Sequence, residues 1–233
     1  MMLTLALLLS LAQASPKEDL RAAANAELPE AARMEAFDRL VRTGLTDIAW
    51  VSEVAATDKA EARERWVAVR VLGKVGGDRA KNQLVALLSD DMPAMRAAAA
   101  QSLGDLGEAR QAQALTPLLR DPALIVRAAA AEALGKLRDP VAVAPLGEAL
   151  SARDNYYRGS SLWVRRHYVK ALGQIGSRKA VPTLVRCLDD ADEAVASEAV
   201  LAFEGIAGFD YREGRELGEQ KAAWRRWASA QGK

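Results

Sequence analysis

The sequence predicts an all-α superhelix, a solenoid of about six helix pairs finished by a C-terminal capping helix. Three observations carry that expectation: a block recurring about every 31 residues, apolar spacing of helical period inside each block, and Gly and Asp-Pro punctuation between blocks. Four blocks superimpose without gaps: Arg65-Trp-Val-Ala-Val-Arg-Val-Leu72-Gly73, Arg96-Ala-Ala-Ala-Ala-Gln-Ser-Leu103-Gly104, Arg127-Ala-Ala-Ala-Ala-Glu-Ala-Leu134-Gly135 and Arg165-Arg-His-Tyr-Val-Lys-Ala-Leu172-Gly173. A degenerate copy runs from Arg33 to Leu40 and another from Ala196 to Phe203, so successive copies start 32, 31, 31, 38 and 31 residues apart.

The elements follow in chain order. Met1 to Ala14 holds no charged side chain, an apolar core from Leu3 to Ala12 and the small-x-small triplet Ala12-Gln13-Ala14, which reads as a secretory signal peptide cleaved before Ser15. Its apolar run falls short of the roughly 20 residues a membrane-spanning helix needs. The expected mature protein, residues 15–233, is therefore periplasmic or secreted, with no membrane insertion after signal cleavage. The segment Leu20 to Leu28 and a helix from Pro29 to Arg42 are expected to close the N-terminal side.

Within each copy, positions 0, +3, +4 and +7 from the Arg share one face of a 3.6-residue helix. In the Arg96 and Arg127 copies the later three are Ala, Ala and Leu, small enough for a neighbouring helix to approach closely. Gly44, Gly76, Gly107 and Gly176 stand where a helix C-cap takes a left-handed residue. Asp121-Pro122, and Asp91 with Pro93, read as the N-cap and first-turn proline of this helix. Apolar stretches such as Leu84 to Leu88, Leu115 to Leu119 and Leu184 to Leu188 supply the other helix of each pair. Residues 209–233 form the cap: Phe209-Asp-Tyr211 leads into a helix from about Arg215 whose Leu217, Trp224 and Trp227 share a face, with Arg225 exposed on it.

The residue inventory restricts the chemistry. With 50% hydrophobic and 27% charged residues the chain is an ordinary folded protein, and 32 basic against 31 acidic side chains argue against a nucleic-acid or anionic-membrane partner. The exposed positions at +5 (Asp38, Arg70, Gln101, Glu132, Lys170, Leu201) and +9 (Arg42, Lys74, Asp105, Lys136, Gln174, Gly205) alternate in sign, so no basic stripe arises. His167 is the only histidine and Cys187 the only cysteine, which leaves no internal disulfide, no usual zinc or iron ligand set and no histidine-based triad beside a Gly-x-Ser-x-Gly elbow. Cys187 aligns with Leu87 of an earlier copy and is expected to be a buried thiol. The acidic pairs Asp90-Asp91 and Asp189-Asp190 fall in turns, where capping explains them. No catalytic residue, metal or cofactor is assigned.

With its Asp in the turn, its Arg early in the second helix and its Leu-Gly near the end, the repeat resembles the HEAT-like repeats of the phycobilisome-lyase type. Asp90 with Arg96 and Asp121 with Arg127, each pair six apart, match the family positions. The resemblance implies that Arg65, Asp90, Arg96, Asp121, Arg127 and Arg165 form a structural polar ladder between stacked repeats. The last copy keeps Asp190 but has Ala196 in place of Arg, as befits a terminal unit. It also implies a rival function, a cofactor-handling or lyase-like enzyme related to bilin lyases. Fold alone does not decide between that and a binding scaffold.

One irregularity points to recognition. The 38-residue spacing inserts seven residues around Ser151 to Trp163, and Tyr156, Tyr157, Arg158 and Trp163 cluster there in a chain with only 5% aromatics. Tyr, Trp and Arg are the residue types of binding hot spots, and repeat proteins place insertions on the binding face. Tyr168 stands where the other copies have Ala, so the space between these helices must differ. The competing expectation is that Trp163 and Tyr168 merely fill a widened gap. The expected function is a non-catalytic scaffold for another protein, engaged through Tyr156, Tyr157, Arg158, Trp163 and His167.

Overall fold

A computed structural model describes residues 14–211 and 213–231, so the expected leader lies, up to Gln13, outside the described residues. The chain divides into two compact units, Met1–Ser102 and Leu103–Lys233. Both are built of helix pairs, and the fold class is the all-α repeat solenoid that the recurrence of Arg and Leu-Gly predicts. Among the described residues no helix is long and apolar enough to cross a membrane.

The first unit holds helices α1 (Pro16–Ala24), α2 (Glu30–Thr46), α3 (Ile48–Ala56), α4 (Ala62–Val75) and α5 (Gly77–Leu87), and α6 (Pro93–Leu106) starts in it and runs past its boundary. Helix α1 begins with a capping box. The Ser15 hydroxyl accepts the Glu18 N–H, and the Glu18 carboxylate accepts the Ser15 N–H at 2.8 Å. Helix α1 packs on α2, α3 on α4, and the two Arg-bearing helices α2 and α4 lie against each other. Their apolar stripes meet in a core of Ala36, Leu40, Val51, Ala55, Ala68, Leu72 and Leu84, all essentially inaccessible.

Gly44 corrects an expectation. It lies inside α2 without a left-handed backbone, and a Cβ there would sit 2.7 Å from Val75 Cγ2, so it serves close helix packing and not a cap. Gly76, by contrast, ends α4 with φ +69°.

The second unit holds α7 (Ala112–Leu115), α8 (Leu124–Leu137), α9 (Val143–Ser151), α10 (Val164–Ile175), α11 (Val181–Cys187), α12 (Glu193–Ala207) and α13 (Leu217–Gln231), with two short strands, β1 (Tyr156–Tyr157) and β2 (Ser160–Ser161). The expected helix through Leu115-Thr-Pro-Leu-Leu119 passes into 3-10 turns from Thr116 to Arg120, because Pro117 lacks the N–H an α-helix needs. The Arg-bearing helices α8, α10 and α12 pack side by side. The Gly after the repeat Leu permits it: a Cβ on Gly135 would come within 3.1 Å of Ala171 Cα, and one on Gly173 within 2.6 Å of Ala202 Cα. Helix α8 is buried on nearly every side, which explains why its sequence is a run of Ala and Leu.

The helix starts also differ from expectation. Helix α8 begins at Leu124 with Ala123 as its N-cap, and Asp121 instead turns the chain two residues earlier by accepting the Ala123 N–H at 2.8 Å. Asp90 does the same for Met92 at 2.9 Å, and Asp190 for Asp192 at 3.0 Å. The repeat Asp is thus the hinge of the turn, a role Asp91 does not share. At the C-terminus α13 packs on α11 and α12, and its fully buried Trp224 stacks on Phe203 and Phe209, with centroids 5.3 and 5.5 Å away. Trp227 packs edge-on to Phe203, and Leu217 is half-buried. Arg225 is not a free exposed charge: its guanidinium pairs with Asp189.

Candidate functional site

The site grows out of the polar rungs between copies. Arg65, at the start of α4, donates from Nε to Ala55 O at 3.1 Å and pairs through Nη2 with Asp90. Arg165, early in α10, repeats that arrangement: Nε donates to Leu150 O at 3.1 Å, and Nη1 and Nη2 reach the two Asp190 oxygens at 3.0 and 2.6 Å. Both guanidinium groups are buried, and in both cases the carboxylate lies 25 residues downstream.

The pairs six apart also touch, but through backbone. Arg96 Nη1 donates to Asp90 O at 2.8 Å and Asp91 O at 3.1 Å, and Arg127 Nε donates to Asp121 O. Burial pushes the Asp190 carboxyl pKa up, yet the Arg165 hydrogen bonds, the Asp192 N–H and the Arg165 charge outweigh it and hold the group below its ordinary value.

Arg127 has no such carboxylate, because the residue 25 positions on is Ala152. The insertion supplies a substitute. Arg127 Nη1 donates to Asp154 O at 2.9 Å and to Asn155 Oδ1 at 2.8 Å. Asn155 is 1% exposed and donates from Nδ2 to Ala149 O at 2.7 Å. The buried Tyr168 hydroxyl completes the cluster, lying 3.3 Å from Leu119 O and 3.5 Å from Asn155 Oδ1. Burial raises its pKa to about 12, so it stays a neutral donor. Tyr168 does fill the widened gap. Sequence reasoning passed over Asn155, although the missing Asp at the 25-residue offset was a usable signal.

Beyond Asn155 the chain forms a minimal β-hairpin where a loop was expected. Tyr156 pairs with Ser161 and Tyr157 with Ser160, and Leu162 N–H closes the base on Asn155 O at 2.9 Å. The turn residues Arg158 and Gly159 both have positive φ, 50° and 82°, the requirement of a two-residue turn matched to strand twist.

The five candidate recognition residues separate into three groups. Tyr156 lies under the Arg165 guanidinium, 4.4 Å from ring centroid to carbon, and Ser161 Oγ accepts from the same group at 3.1 Å, so Tyr156 anchors the hairpin. Tyr157 is 64% exposed with the Arg158 guanidinium 5.4 Å away, and Trp163 is 44% exposed with its ring edge-on to His167. His167 itself is half-buried and part of another set. Its Nδ1 lies 3.1 Å from Glu132 Oε1 but outside hydrogen-bonding angle. Burial, with Arg166 and Lys170 nearby, outweighs Glu132 and lowers its pKa, so it is neutral at pH 7.

On the neighbouring second-helix face Lys136 pairs with Asp105 at 2.6 Å, while burial raises the pKa of the Glu198 carboxyl against the opposing charges of Lys170 and Arg166. Cys187 is buried, which pushes its thiol up to about 11 and makes it unreactive. Among the described residues no group of three or more His, Cys, Asp and Glu side chains is placed to hold a metal.

Comparison with known proteins bears on architecture. A crystal structure described as an engineered protein is 21% identical, with a TM-score of 0.52 over 83% of this chain and 89% of its own. A designed armadillo repeat protein in complex with the peptide (KR)4 is 18% identical, with a TM-score of 0.52 over 83% of this chain and all of its own. The complex of CpcE and CpcF of phycocyanin lyase from Nostoc sp. PCC7120 is 21% identical, with a TM-score of 0.38 over 94% of this chain and 95% of its own. No curated protein sequence matches the chain. The HEAT-repeat family profile matches residues 48–126, 113–163 and 158–210, and with these matches spanning most of its length the chain belongs to the HEAT-repeat family.

Proposed function

We propose that the chain is a non-catalytic scaffold that binds another protein through the hairpin inserted between α9 and α10, and that it works in the periplasm or outside the cell. The observation that carries the reading is the division of labour in the insertion. Asn155 and Tyr156 fasten it to the buried Arg127 and Arg165, while Tyr157, Arg158 and Trp163 are left facing outward. A rigidly held hairpin loses little entropy on binding, and Tyr, Trp and Arg supply contact area and directed hydrogen bonds. The balanced charge, and the pairing of Lys136 with Asp105 on the second-helix face, favour a protein over a nucleic acid. A similarly folded designed armadillo repeat protein is in complex with a peptide, which supports a peptide- or protein-binding use of the fold. Envelope placement rests on the apolar leader and Ala12-Gln13-Ala14.

The test is cross-linking and mass spectrometry of partners captured in the native cell by the full chain and by a variant carrying Tyr157→Ala, Arg158→Ala and Trp163→Ala. A specific partner lost by the variant is expected. Equal capture would move recognition to the second-helix surface, a chromophore or ligand co-purifying with the chain would favour the lyase-like reading, and intact mass with Met1 retained in the cytoplasmic fraction would remove the envelope placement.

A further inference from the structure

We infer that the first unit carries a second recognition site, independent of the hairpin: a groove that takes an acidic peptide segment bearing a bulky apolar side chain. The groove encloses about 310 Å³ over α2 and α4, and its working surface is Arg33, Met34, Phe37, Trp66, Arg70 and Lys74, with Glu30 the single carboxylate on its lining.

These residues are where the first two copies depart from the repeat. The position after the repeat Arg is Ala97 and Ala128 in the third and fourth copies, both buried, but Met34 and Trp66 in the first two, 52% and 44% exposed. The position four residues after the Arg is Val69, Ala100, Ala131, Val169 and Val200 in later copies, and Phe37 in the first. Packing explains the small residues; it does not explain a Trp and a Met held open to solvent on adjacent helices. Large apolar side chains exposed together mark a contact surface, and Met and Trp suit one that adapts to its occupant.

Arg33 supplies the independent observation. It occupies the repeat Arg position, where Arg65 and Arg165 each meet a carboxylate 25 residues on. The corresponding Asp58 is exposed, and Arg33, which lines the groove, keeps a buried Nε with no hydrogen-bond partner among the described residues. The Arg33 guanidinium on the groove lining therefore lacks the carboxylate that Arg65 and Arg165 have, and an acidic ligand would supply one to the groove-facing end of the group. Arg33 and Lys74 on the lining, beside an Arg70 that also reaches Ser102 Oγ at 3.4 Å, face the single carboxylate of Glu30 in a chain whose total charge is only +1, and make the groove complementary to an acidic peptide. The apolar floor between them selects a peptide whose carboxylates flank a Leu or Phe.

The test titrates the full chain into a fluorescein-labelled acetyl-Glu-Glu-Leu-Phe-Glu-Glu-amide and reads anisotropy. Saturable binding that weakens with salt is expected. Arg33→Gln and Trp66→Ala should each weaken it by about tenfold or more, with helicity and melting temperature retained, while Tyr157→Ala leaves it unchanged. Lys74→Glu, at an exposed position, serves if either of those variants folds poorly, and is expected to weaken binding in the same direction. Equal binding of the Lys-Lys-Leu-Phe-Lys-Lys counterpart, or no effect of these substitutions, would overturn the inference. So would a dimer in sedimentation velocity that Trp66→Ala dissociates, because the groove would then belong to a second copy.

Discussion

Arg165 and Arg127 occupy the same position in successive copies, yet one guanidinium is neutralised by both oxygens of Asp190 and the other meets only Asp121 O, Asp154 O and Asn155 Oδ1. The regular rung is an ion pair that fixes one helix pair on the next. The irregular rung has exchanged its carboxylate for an amide, and the chain that delivers the amide continues outward as the hairpin. Loss of a repeat Asp and gain of a projecting Tyr-Arg tip are therefore one structural event. An array of this kind tolerates an insertion where the inserted residues restore the buried acceptor they displace.

The largest effect expected from this contrast is at the ionic rung. Arg165→Ala strands the part-buried Asp190 and removes the cation over Tyr156, and should cost about 3 kcal/mol in urea unfolding. Arg178→Ala, at an exposed position, should stay within about 0.5 kcal/mol. Matching midpoints for the two variants would mean that the rung contributes no more than a surface charge.

A smaller and more discriminating change is Asn155→Asp, which restores the carboxylate of a regular rung but removes the donor to Ala149 O. The gain of charge pairing with Arg127 and the loss of one hydrogen bond should nearly cancel, leaving stability within about 1 kcal/mol, whereas Asn155→Ala should cost about 2 kcal/mol. A loss as large for Asn155→Asp as for Asn155→Ala would show that the amide donor, and not the acceptor, holds the hairpin.

The smallest effect concerns acid. His167 has a lowered pKa when folded, so the unfolded chain takes up a proton first, and stability falls as pH drops through the unfolded value near 6.5 until the folded group also titrates. Between pH 7 and 5 the melting temperature of the native chain should fall more than that of His167→Gln. Asp190, held below its ordinary value, contributes stability that is fully present above its unfolded value of 3.8 and is lost only as pH falls through the lower folded pKa, so it does not enter the slope between pH 7 and 5. Equal slopes for the two chains between pH 7 and 5 would remove His167 from the account.

Most of the architecture was legible because the recurrence of Arg, Leu and Gly in the four regular copies encodes a close helix contact: Gly104 and Gly173 face Ala133 and Ala202 across adjacent helices. The capping aromatics were legible for the same reason, since Trp224 and Trp227 at helical spacing have an apolar face to cover. What escaped depends on contacts between residues far apart in sequence. Gly44 looks like a cap until Val75 is placed beside it. Asp121 looks like an N-cap until the helix starts at Leu124. The ionic partners of Arg65 and Arg165 lie 25 residues on and not six, an offset that the six-residue Asp-Arg spacing of the sequence masks. In the insertion, Tyr156 and Tyr157 are chemically alike, and only the hairpin register shows that one covers Arg165 and the other faces outward.

The central structural claim, that Asn155 replaces the missing repeat Asp as the partner of Arg127, is tested most directly by a double-mutant cycle on Arg127→Ala and Asn155→Ala in urea unfolding. The 2.8 Å bond between the buried pair predicts a coupling of about 1–2 kcal/mol, the double variant being destabilised by less than the two single losses combined. Additivity within about 0.3 kcal/mol would contradict the claim and leave the hairpin held by its contacts with Arg165 and by its backbone.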